Sequence, residues 1–127
     1  MKRLSYALLF VFLNLVLIGC QQHELFDQEI TSIDILTWDD QEHVDELTDP
    51  DLIAELTGQL ETSESASTDN LDIPYPDYFL RFNHQEQTIQ ELGYYNEEKT
   101  FNQVRGQFIN SESGELYNVS IDLAIDG

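Results

Sequence analysis

Residues 4–18 form a nearly unbroken apolar run, relieved only by Ser5 and Asn14, and nothing later in the chain resembles it. Beyond Cys20 the apolar residues come in short groups between polar and acidic ones. Residues 29–38 read as a strand, with Ile33 and Ile35 on one parity and Ile30, Leu36 and Trp38 on the other. That mixed alternation predicts either a strand covered on both faces or a bulge. Residues 39–42 read as a turn and residues 43–47 as a short returning strand. A helix follows: Asp49 suits the cap, Pro50 the first helical position and Asp51 the positive end of the dipole. Leu52, Ile53, Leu56 and Leu60 then fall on one helical face.

Residues 61–73 carry little apolar surface and are expected to form a mobile loop. The second half has the two-residue period of a meander. Tyr78, Leu80 and Phe82 alternate with Phe79, Arg81 and Asn83, and turns are expected at 84–86, 96–100 and 110–115. The cleanest alternation is the last, with Tyr117, Val119, Ile121, Leu123 and Ile125 on one side. One wet face and one buried face is the antiparallel signature. The expected order is β-β-α, a loop, then four strands. This predicts an α+β domain: an antiparallel sheet of about five or six strands with one helix packed on one face.

The opening run has a separate meaning. Lys2 and Arg3 precede it, and at about 1.5 Å per residue it spans roughly 22 Å, short of the ~30 Å hydrocarbon core of a bilayer. A basic start, a short apolar run and a small residue at its end describe a secretory signal rather than a membrane-anchor helix. Leu17-Ile18-Gly19-Cys20 resembles the bacterial lipobox. The resemblance implies a diacylglyceryl group on the Cys20 thiol, with cleavage between Gly19 and Cys20. The chain has no other cysteine, so no disulfide competes for that thiol. The expected organisation is a signal at 1–19, a tether at 20–28 and one acidic domain at 29–127.

Charge narrows the partners. Loss of Lys2 and Arg3 from five basic residues leaves three against twenty-five carboxylates, a net charge of −22. Nucleic acid is excluded, because its binding relies on phosphate neutralisation by Lys and Arg. Anionic headgroups repel such a domain, which leaves the lipid on Cys20 as its membrane attachment. A surface this acidic also serves solubility alone. Asp69, Asn70 and Asp72 are weak candidates for calcium on a loop, but the alternating ligands, sixth-position glycine and distal glutamate of an EF-hand are absent.

Catalytic groupings are sparse. His23, His43 and His84 stand apart without metal-ligand spacing, and neither a phosphate-cradling glycine loop nor a G-x-S-x-G elbow occurs. No catalytic residue and no cofactor is expected. The best candidates for a ligand surface are the aromatics Trp38, Tyr75, Tyr78, Tyr94 and Tyr95, two of them close to Pro74 and Pro76. Core packing is the competing use of the same rings.

Ile33-x-Ile35-x-x-Trp38, Thr48-Asp49-Pro50-x-Leu52-Ile53 and Pro76-Asp77-Tyr78-x-Leu80-x-Phe82 resemble the small YhfM-like domains of Bacillus-type lipoproteins, over residues 30 to about 110. That family implies no activity and no functional residues. The expected function is a monomeric, non-enzymatic interaction or accessory module anchored outside the cell membrane. The alternative is a lipoprotein that binds a cation or small ligand through its acidic loops.

Overall fold

A computed structural model describes residues 25–69 and 71–125. The signal run, Gly19, Cys20 and Asn70 lie outside the described residues. Seven strands and one helix are present among them: β1 Ser32–Thr37, β2 His43–Leu47, α1 Pro50–Thr62, β3 Ser65–Ser67, β4 Tyr78–His84, β5 Gln87–Phe101, β6 Val104–Ile109 and β7 Glu115–Tyr117. All pairings are antiparallel and the order is β2-β1-β4-β5-β6-β7-β3. The α+β class, the antiparallel sheet and the single helix follow the pattern of the sequence. The strand number is seven rather than five or six.

The helix starts as its residues dictate. The Asp49 carboxylate accepts from the Asp51 amide at 3.0 Å, and Pro50 needs no amide partner at the first position. Ile53, Leu56 and Leu60 are buried against Ile33, Ile35, Leu80, Phe82 and Leu92 on the first face of the sheet. Leu25 and Phe26, the apolar residues of the expected tether, pack on this same core, with the Phe26 and Phe82 rings 5.0 Å apart. In β1 both sequence readings hold: Leu36 is buried as well as Ile33 and Ile35, and the β1–β2 register shifts between Ile35 and Leu36.

Three elements depart from expectation, each for a backbone reason. Ser65–Ser67 lies in the stretch read as loop, yet pairs with β7; a ladder asks only for backbone amides and carbonyls, which small polar residues supply. Residues 96–100, read as a connection, continue β5. Its register with β6 jumps from Tyr94–Phe108 to Lys99–Gly106, so Gln107 alone faces residues 95–98. The buried Gln107 amide sits 3.1 Å from the Tyr94 hydroxyl and from the carbonyls of Tyr95 and Asn96, satisfying backbone that the ladder drops.

The third departure is the final segment. It leaves the ladder after Tyr117, although Val119 and Leu123 are buried in the first-face core on the predicted parity. The Tyr94 hydroxyl stands in for a neighbouring strand, donating to the Ile121 carbonyl at 3.2 Å and accepting from the Leu123 amide at 3.1 Å.

Candidate binding groove

The second face of the sheet has its own smaller core of Tyr95, Val104, Ile109 and Leu116, with Ala66, Ile73 and Phe101 packed beside it. What covers this face is the connection between β3 and β4, whose described residues 68–69 and 71–77 run as a strap. At one end the Thr68 amide and hydroxyl both donate to the Gly114 carbonyl, at 2.9 and 2.5 Å. At the other end the Asp77 amide donates to the Tyr94 carbonyl at 2.9 Å, while the Asp77 carboxylate accepts from the Asn96 amide at 2.8 Å. In the middle the Tyr95 hydroxyl donates to the Pro74 carbonyl at 2.8 Å.

Gly93 lets the strap lie close. A side-chain carbon at that position would stand 2.5 Å from Cγ of Pro76 and 3.0 Å from Cγ2 of Ile109. An isolated glycine inside a strand is the sequence signal of such an approach. It marks a residue that the search for aromatics passes over.

Between the strap, β6 and the β6–β7 turn lies an open groove of about 320 Å³. Trp38, Leu71, Ile73, Tyr75, Tyr95 and Ile109 give it its apolar walls, with Asp69, Asn110 and Ser111 as polar points. The Trp38 indole stacks on Tyr75 at 6.4 Å between centroids and leans on Phe79 at 5.5 Å. Tyr75 is 80% exposed and Leu71 45%, the two large apolar side chains most open to water among the described residues. Trp38, Tyr75 and Tyr95, from three separate parts of the chain, therefore converge here.

Tyr78 and Tyr94 do not join them. Both point to the other face and are buried in the first core. The period of two explains the split, because neighbours such as Tyr94 and Tyr95 must face opposite sides. Burial raises the Tyr95 hydroxyl above its ordinary value of 10.0, and the Asp77 charge adds to the shift. The phenol stays protonated and keeps its bond to the strap.

Of the calcium candidates, Asp69 lines the groove and Asp72 is exposed beside it. Among the described residues no three His, Cys, Asp or Glu side chains gather in a way that could hold a metal ion. The His43 ring is 3.1 Å from Asp34, and His84 Nδ1 is 2.6 Å from the Glu29 carbonyl. These are separate pairs at different places on the sheet. No known family model, curated protein or solved structure matches the chain.

Proposed function

We propose that the chain is a bacterial lipoprotein, held on the outer face of the cell membrane by a lipid on Cys20, whose single domain is a non-enzymatic interaction module. The observation that carries the anchor is the sequence Lys2-Arg3, an apolar run of signal length, and Leu17-Ile18-Gly19-Cys20. Two acyl chains give stable attachment where one is marginal. Among the described residues no helix is long and apolar enough to cross a membrane. The interaction role is supported by the groove, where exposed aromatic and aliphatic side chains sit together beside a strap fixed at both ends.

The resemblance to YhfM-like domains belongs to this reading and adds no residue to the site. A second reading, a small-ligand pocket in the same groove, has its volume in favour, at the low end of ligand cavities. The exposure of Tyr75 and Leu71 speaks for a surface that meets a larger partner. Fractionation of cells tests the anchor. Wild-type protein is expected with the membranes and Cys20→Ala in the precursor or soluble fraction; processed Cys20→Ala retained on membranes to the wild-type extent contradicts it.

A further inference from the structure

We infer that the groove receives an extended, basic segment of a partner protein, a conclusion that rests on the interaction reading above and names its ligand. The lining begins at Trp38, just past β1, and ends at Thr68 and Asp69, just past β3. Five inter-strand steps separate those two strands in the sheet. The lining therefore reaches across several strands of the sheet, a shape that an extended segment follows and a compact small molecule does not.

Charge sets the sign of the occupant. Asp69 lines the groove, and three more exposed carboxylates adjoin lining residues in the chain: Asp39 and Asp40 after Trp38, and Asp72 after Leu71. No lysine or arginine is among the lining residues. Each of the three lysine and arginine side chains of the described residues has a partner of its own, and only Lys99 stands against a groove residue. Arg81 lies over Phe79 at 5.9 Å with Glu91 3.9 Å away, Arg105 meets Glu98 at 3.1 Å, and Lys99 stands over the Tyr95 ring at 5.5 Å.

A segment alternating lysine or arginine with leucine or proline matches both halves of this surface. Its apolar residues meet Trp38, Tyr75 and Ile73, and its cations meet the carboxylates along the rim. A polyanion is repelled by the same rim. A neutral sugar finds the aromatic platform but leaves the charge unused.

Trp38 is the chain's only tryptophan and stands in the groove wall, so its emission reports occupancy directly. The full-length protein in mild non-ionic detergent is titrated with a short lysine–leucine–proline peptide. The same peptide with glutamate for lysine, and an N-acetylglucosamine oligomer, serve as the competing occupants. The expected result is a saturable change with the lysine peptide alone, weakened by salt because exposed charges are screened. Tyr75→Ala should weaken it at least tenfold and Asp69→Asn with Asp72→Asn about threefold, with melting temperatures held. Equal binding of the glutamate peptide, preference for the oligosaccharide, absence of any saturable change, or indifference to Tyr75→Ala overturns the assignment. Those results concern the occupant; membrane release of Cys20→Ala tests the anchor independently.

Discussion

Glycine has opposite meanings at two positions of this chain. Gly58 is in the exposed part of α1 and has nothing within 4 Å of where a Cβ would stand. Gly106 is in β6, where a Cβ would press on the backbone carbonyl of Tyr117 and stand 2.9 Å from that of Val119. Gly58→Ala is therefore expected to raise stability by about 0.5–1 kcal/mol, the helix-propensity difference. Gly106→Ala should lower it by ~3 kcal/mol, because rigid backbone would have to move. Chemical denaturation measures both, and equal effects at the two sites contradict the packing described.

The buried tyrosines give the molecule a defined alkaline limit. Burial is the leading cause that raises the hydroxyls of Tyr94, Tyr95 and Tyr117 above 10.0. Above that value the unfolded chain releases these protons while the folded protein retains them. The stability they contribute is thus complete below about pH 10 and is lost as pH climbs through the raised values. Denaturation midpoints should fall beyond pH 10, and Tyr95→Phe should lessen the fall. Identical slopes in wild type and variant would rule out a role for Tyr95.

Among the elements, hairpin β5–β6 shows how far local pattern reaches. Its turn is Asn102-Gln103, and both residues have positive φ, 48° and 69°. That is the arrangement for which Asn-Gly is preferred. Gln103→Gly should stabilise the protein by about 0.5–1 kcal/mol without altering the groove, as thermal unfolding beside the lysine-peptide titration would show. A loss of stability would mean that the turn is not under strain.

The helix and the parity of β4 were legible in the sequence, because caps and alternation are local signals. The long bulge of β5 was not. It depends on Gln107, whose side chain completes backbone bonds of residues on another strand. The C-terminal segment kept its predicted face and lost its predicted ladder for a similar reason: the Tyr94 hydroxyl supplies bonds that alternation cannot reveal. The groove was half legible. Aromatic content pointed to Trp38, Tyr75 and Tyr95, but only the fold separates them from Tyr78 and Tyr94.

At the scale of the whole molecule, the first described residues and the groove lie at opposite ends of the sheet. The chain enters beside the C-terminal end of β4, where the Thr31 amide donates to the Asn83 carbonyl at 2.8 Å and Phe26 packs on Phe82. Trp38 follows the far end of β1, six strand residues away, about 20 Å along the strand. Only five residue steps separate Cys20 from Leu25, at most ~17 Å of reach. On the proposed anchoring, a lipid on Cys20 would hold the entry end within that reach of the bilayer, with the groove at the far end of the sheet. In vesicle-anchored protein, Trp38 emission should be quenched by aqueous acrylamide and spared by nitroxide-bearing lipids; quenching from the lipid side would contradict this orientation.

The proposed placement at the membrane depends on what happens at Cys20. Intact-mass analysis of the protein recovered from membranes tests it most directly. The account predicts a chain that begins at Cys20 and carries the added mass of a diacylglyceryl group on that residue. A chain that still begins at Met1, or one with an unmodified Cys20, would contradict it.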